Sequence, residues 1–142
     1  MDKSPYKIFS RLLFGLYLIT VSCRQEIIPP ENFAGNINAP IQINELNSYI
    51  FIINASDISM DVINNTHFTS NMSRISITIF NYSSGYVSVR VTDRQSNARF
   101  GYFGNEEENL FTEELIGYIP GSVGIKATDF SGKLKIELTR TF

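Results

Sequence analysis

The chain of 142 residues contains one cysteine, one histidine and no tryptophan. Each scarcity removes a class of chemistry. A single thiol excludes an intramolecular disulfide, and an odd cysteine in an exported domain needs another use. The one histidine, His67, lies beyond the single cysteine, in a body that holds no thiol and no second imidazole to join it, so a zinc set and a Cys/His dyad are excluded there. Cationic excess is lacking too: 12 Lys and Arg stand against 14 Asp and Glu, a net charge of −2. That balance offers no clustered cationic surface for phosphate backbones, so nucleic acid is not an expected partner. No apolar run approaches the roughly 20 residues of a bilayer-spanning helix.

What the first residues do contain is an export pattern. Lys3, Lys7 and Arg11 precede a ten-residue apolar run, residues 12–21, broken only by Gly15 and Thr20. A charged segment followed by a short apolar one predicts a signal helix. The polar Arg24-Gln25-Glu26 ends the run abruptly. The only cysteine falls at this boundary, in Thr20-Val21-Ser22-Cys23.

These four residues resemble the lipobox of bacterial lipoproteins, in which a small residue precedes the lipidated cysteine. Thr20 stands where Leu, Val or Ile is more usual. The resemblance covers the first 23 residues or so. It implies diacylglycerol on the Cys23 thiol, cleavage between Ser22 and Cys23, and acylation of the new amino group. Arg24 rather than Asp follows the cysteine, so the best-known inner-membrane retention signal is missing and the outer membrane is the expected location. Removal of residues 1–22 takes away three of the twelve basic and one of the fourteen acidic side chains, leaving nine against thirteen. The remaining surface is more acidic and gives no polybasic attraction to anionic lipid. Attachment would rest on the acyl chains, each buried CH₂ contributing about 0.8 kcal/mol.

Residues 23–40 read as a lipidated tether. Pro29-Pro30 favours extended polyproline geometry and Pro40 disfavours helix before it. At roughly 3.1 Å per residue such a spacer reaches up to about 50 Å. Docking of Ile27-Ile28 or Phe33 on the body as an edge strand is the alternative.

From residue 41 the apolar period is two. Residues 41–43, 58–63, 75–80, 87–92, 123–128 and 134–139 alternate apolar with polar side chains. Residues 48–55 form a continuous apolar run, expected of a strand covered on both faces, and residues 100–102 and 110–115 add weaker strands. No window shows a helical stripe. About eight short strands predict an all-β domain over residues 41–142, an antiparallel β-sandwich of jelly-roll or immunoglobulin-like kind. Two segments look alike: Asn81-Tyr82-Ser83-Ser84-Gly85 and Asp129-Phe130-Ser131-Gly132. Asx, Ser and Gly are turn formers, so each predicts a β-hairpin, either as halves of a duplication or by shared turn chemistry.

Nothing beyond Cys23 marks an active site. His67 lies in a polar loop without a G-x-S-x-G elbow, and no catalytic residue, metal or cofactor is expected. Asn105-Glu106-Glu107-Glu108-Asn109 reads as a solvated acidic loop, with weak calcium binding as the alternative. Among the aromatics, Tyr82, Tyr86, Tyr102 and Phe103 form a candidate ligand platform. Sugar-binding β-sandwiches often present such flat rings beside amides and carboxylates, while the competing reading places these rings in the core. The expectation is a non-enzymatic, outer-membrane lipoprotein. Its β-sandwich would act in binding or as a structural accessory of the envelope, with a glycan or an envelope protein as partner. The alternative is a carbohydrate-binding accessory module of a glycan-uptake system.

Overall fold

Alternating side chains make one face of each strand apolar, and burying that face decides how the strands assemble. A computed structural model describes residues 36–142. Six strands carry the described residues: β1 (Ile41–Glu45), β2 (Ser48–Asn65), β3 (Met72–Asp93), β4 (Ala98–Gly104), β5 (Glu108–Ile116) and β6 (Pro120–Arg140). Every pairing between these strands is antiparallel. They form one sheet in the order β1-β2-β6-β3-β4, and β5 also pairs with β3. The described residues are therefore all-β and antiparallel, as their two-residue period predicts.

The three central strands are far longer than the expected ones, at 18, 22 and 21 residues for β2, β3 and β6. They fold over halfway. Tyr49 and Asn64 of β2 are 15 residues apart, yet Asn64 Nδ2 donates to Tyr49 Oη at 2.8 Å. In a straight strand that separation would be about 50 Å. The sheet thus supplies both layers of a sandwich from the same strands. One layer holds β1, the first half of β2, the second half of β6, the first half of β3, and β5. The other holds the second half of β2, the first half of β6, the second half of β3, and β4.

Each fold line falls at an Asx residue in the left-handed region: Asp57 (φ 52°), Asn81 (φ 51°) and Asp129 (φ 47°). Asp and Asn tolerate this conformation better than other side chains. Register shifts lie at these points, between Ala55 and Met60 on β2 and between Phe80 and Tyr86 on β3. The extra residue resets which face points inward. On β2 the buried series Tyr49, Phe51, Ile53, Ala55 gives way after the corner to the partly buried Ile58, Met60 and Val62. On β6 the buried series Val123, Ile125, Ala127 becomes Phe130, then Leu134, Ile136, Leu138. A bulge is the one-residue device that bends a strand while keeping its apolar face toward the core.

This corrects the expected hairpins. The segments at 81–85 and 129–132 are corners within continuous strands, and they lie side by side, with Ser84 paired to Ser131. Left-handed Asx and Gly serve a bulge as well as a hairpin turn, so the same letters fit both. Of the nine segments read as strands, three pairs are each one bent strand, which leaves six. The corners are stitched by side chains. Ser59 Oγ donates to Asp129 Oδ1 at 3.0 Å and accepts from Asp129 N at 2.9 Å, while Asp57 N donates to Ser131 Oγ at 2.8 Å. Phe130 is fully buried at the fold line, with the Tyr82 ring 6.4 Å away.

The run at residues 48–55 is covered less than expected. Tyr49, Phe51, Ile53 and Ala55 are buried, but Ile50 and Ile52 are half-exposed beside Ile43 and Ile41 of edge strand β1. Phe111 of β5 closes the opposite side of the sandwich, 5.0 Å from Tyr102 and 6.0 Å from Phe100 of β4. Of the stretch read as a tether, residues 36–40 are described, and Asn38 joins the β2 corner. Its Nδ2 donates to Ser56 O at 2.9 Å and its Oδ1 accepts from Ser56 N at 2.7 Å. The signal segment 1–22, the cleavage point at Ser22 and Cys23, and the tether up to residue 35 lie outside the described residues.

Candidate functional site

The four aromatics of the expected platform divide between the two sides of the sheet. Tyr82 and Tyr102 are partly buried against the core. Tyr82 Oη donates to Gly85 O at 3.0 Å, which fastens that ring to the β3 corner. Burial raises the Tyr102 phenol above its ordinary range, and the nearby carboxylates of Glu108 and Glu106 add to the shift. Tyr86 and Phe103 point outward instead. Their ring centroids are 5.3 Å apart at 30°, and Phe103 is 61% exposed. Phe103 on β4 is in register with Ser88 on β3, two residues beyond Tyr86, so the pair lies diagonally across two strands. Offset aromatic pairs of this kind contribute about 0.5–1.5 kcal/mol beyond their buried area.

Register builds the rest of this outer face. One cross-strand row reads Asp61, Lys126, Ser88, Phe103 over β2, β6, β3 and β4. The next reads Ile63, Gly124, Arg90, Gly101. Where the glycines stand, the surface sinks. A depression of about 340 Å³ is lined by Asp61, Ile63, Ser88, Arg90, Gly124 and Lys126 among others. A second, of about 470 Å³, lies on the other side of Arg90, over Gly101 and Ala98. The described ion pairs are Arg74–Glu114, Arg99–Asp93 and Lys135–Glu137, and none engages Arg90 or Lys126. Sequence reasoning missed these residues because they converge only through register. The available signal was Gly101 and Gly124, glycines inside strands where no turn is needed.

Other polar clusters are committed to the fold. Buried Asp93 closes the β3–β4 loop: its carboxylate accepts from Gln95 N and Asn97 N, each at 2.9 Å, and from Arg99 Nε at 2.7 Å. Burial pushes the Asp93 carboxyl up, but the hydrogen bonds from Arg99, Asn97 and Gln95 outweigh it and bring it down to about 2. Burial pushes the Tyr49 phenol up to about 12, against the opposing hydrogen bond from Asn64. His67 contributes its backbone: its carbonyl accepts from Asn47 N at 3.1 Å, and it bridges to Leu46. Asn105, Glu106 and Glu107 are exposed, and β5 begins at Glu108. Among the described residues no group of three or more His, Cys, Asp or Glu side chains is placed to hold a metal ion.

No protein-family model matches the chain, and no curated protein matches it. Among solved structures it is similar to the enzymatically active domain of tailspike protein 4 of bacteriophage CBA120. Identity there is 12%, with a TM-score of 0.40 over 75% of this chain and 18% of that one. The chain thus spans under a fifth of the length of that structure. Among the described residues no helix is long and apolar enough to cross a membrane.

Proposed function

We propose that the protein is a lipid-anchored binding protein of the bacterial outer membrane, held through Cys23 and acting through its β-sandwich rather than by catalysis. The anchor rests on the sequence Thr20-Val21-Ser22-Cys23 and its charged, apolar prelude. The observation that carries the binding half is the outer face of the second layer. There the exposed Phe103 ring packs against the half-buried Tyr86, beside Arg90 and Lys126, which form no described ion pair. A large apolar ring left open on a face that also carries two uncommitted cations is a surface that a partner can cover. Those rings also favour glycans over other partners, because a sugar ring lays C–H bonds on an aromatic face while its hydroxyls reach neighbouring polar groups.

Intact-mass analysis of the protein extracted in detergent tests the anchor. The expected species begins at Cys23 and carries acyl chains, and Cys23→Ala should shift the protein from the detergent phase to the aqueous phase. An unmodified Cys23, or cleavage elsewhere, defeats that half of the proposal. A binding screen on glycans, comparing the natural chain with Phe103→Ala, tests the other half.

A further inference from the structure

The row Ile63, Gly124, Arg90, Gly101 carries more than a general binding face. Most glycines of the described chain have a structural reason that can be named. Gly85 and Gly132 serve the corner. A Cβ on Gly104 would stand 2.6 Å from Ile79 Cδ1, and one on Gly121 would stand 2.5 Å from Asp93 O. Gly101 and Gly124 have none. Neither has a positive φ. A Cβ on Gly101 would meet nothing within 4 Å, and one on Gly124 would meet Arg90 and Ile63 only at ordinary contact distance, 3.9–4.0 Å. Glycine inside a strand is destabilising by roughly 0.5–1 kcal/mol relative to alanine. Two such glycines in one row, on the strands flanking Arg90, keep the surface low on both sides of a single guanidinium. A strand glycine marks a bulge, a bend or a close approach of another molecule to the backbone. Gly101 stands next to the β3–β4 register shift at Val91 and Thr92, while Gly124 pairs regularly on both sides, so the close approach is read chiefly from Gly124.

Charge then selects among ligands. The sequence is acidic overall, yet the cations over this depression, Arg90 and Lys126, are not neutralised by any described ion pair. Arg99 beside them is already held by Asp93. Asp61 ends the neighbouring row, next to Lys126. A guanidinium in a shallow trough suits the planar fork of a carboxylate, which it binds with two parallel hydrogen bonds. Three inter-strand steps separate Ile63 from Gly101, about 14 Å at roughly 4.8 Å each. That is room for a short run of sugar rings across the strands, with Phe103 and Tyr86 alongside.

We infer that this face binds an acidic glycan, a polysaccharide bearing uronate carboxylates: Arg90 takes the carboxylate, Gly101 and Gly124 let the chain lie close to the sheet, and the Tyr86–Phe103 pair receives a ring. The inference rests on the glycan reading above and sharpens its ligand class. Calorimetric titration of the full chain in detergent, with polygalacturonate and alginate, neutral galactan and dextran, and dextran sulfate as the anionic control, tests it. The expected result is saturable binding to a polyuronate, weakened at least tenfold by Arg90→Gln and by Gly124→Leu. Neither variant should lower the melting temperature of the natural chain, since each alters only outward-facing groups. Gly101→Leu gives the same readout from the other side of Arg90, should Gly124→Leu disturb folding. Polyuronate binding unchanged by these variants would overturn the inference. So would equal, Arg90-dependent binding of dextran sulfate, which would mean a general anion site. Binding of neutral glycans alone, lost in Phe103→Ala, would overturn the acidic ligand and leave the glycan reading standing. Binding to none of them would remove both.

Discussion

Replacing Gly85 by alanine should be among the most damaging single-methyl additions this sheet can receive. Gly85 sits at the β3 corner with φ +78°, and a Cβ there would lie 2.3 Å from Asp129 O and 2.4 Å from both Asp129 C and Thr128 O. These are backbone atoms of β6 and cannot swing aside as a side chain would. The left-handed conformation costs a residue with a Cβ about 1–2 kcal/mol. Relief of the contact must also push β6 away from β3, loosening the pairings Ser84–Ser131 and Tyr86–Thr128 on either side. Two ladder hydrogen bonds at about 1 kcal/mol each bring the expected loss to about 3–4 kcal/mol. Against a domain stability of about 5–15 kcal/mol, that is a large fraction. Urea unfolding followed by far-ultraviolet circular dichroism should show the midpoint falling accordingly. Gly101→Ala is the control: its Cβ meets nothing within 4 Å, so stability should hold or rise by up to about 1 kcal/mol. Equal destabilisation by the two variants, or a neutral Gly85→Ala, would refute the corner as the place where one sheet becomes two layers.

Tyr49→Phe removes the Tyr49–Asn64 bond that joins the two halves of β2 and leaves the Asn64 amide without that acceptor; a loss of about 1–2 kcal/mol is expected in the same unfolding assay. The raised Tyr49 pKa, about 12 in the folded protein, means its stabilisation is complete below the ordinary phenol range near 10 and is lost as pH climbs toward 12. Thermal melts from pH 9 to 12 should therefore fall for the natural chain and fall less steeply for Tyr49→Phe. Asp93 acts in the opposite direction. Its carboxyl is lowered from 3.8 to about 2, so its contribution is whole above about pH 4 and disappears as pH falls toward 2. Asp93→Asn should lower the melting temperature at pH 7 and flatten its dependence between pH 4 and 2; an unchanged acid profile would show that the Asp93–Arg99 loop contributes nothing to stability.

Much of the fold was legible because a strand writes its two faces into alternate letters. The buried series at 75–79, 87–91, 123–127 and 134–138 are the apolar positions of the alternating segments. The corners were visible as special places too, since Asn81, Gly85, Asp129 and Gly132 carry the residue types that accept positive φ. Their role was misread because local chemistry does not say whether the chain reverses or only bends. A hairpin returns a strand beside itself, while a bulge sends it onward beside the same neighbours, and the difference lies in which distant segment it pairs with. Asp57, the third corner, was missed because Ala55-Ser56-Asp57 looked like the polar end of an apolar run.

The aromatic platform divided for a related reason. Period two puts Tyr102 and Phe103 on opposite faces, but only the packed structure tells which face is the core. Phe111 of β5 lies against Tyr102, so Tyr102 is the inner one and Phe103 the outer. The sequence by itself determined an all-β domain with apolar inner faces and marked its bending points. It also carries the lipobox-like Thr20-Val21-Ser22-Cys23 that the proposed anchor rests on. Only the tertiary structure decided that three strands each serve both layers, and that Ile63, Gly124, Arg90 and Gly101 stand in one row. Periodicity is a property of one segment. Register is a relation between segments, set by bulges and by the burial of a whole face, and no stretch of letters contains it alone.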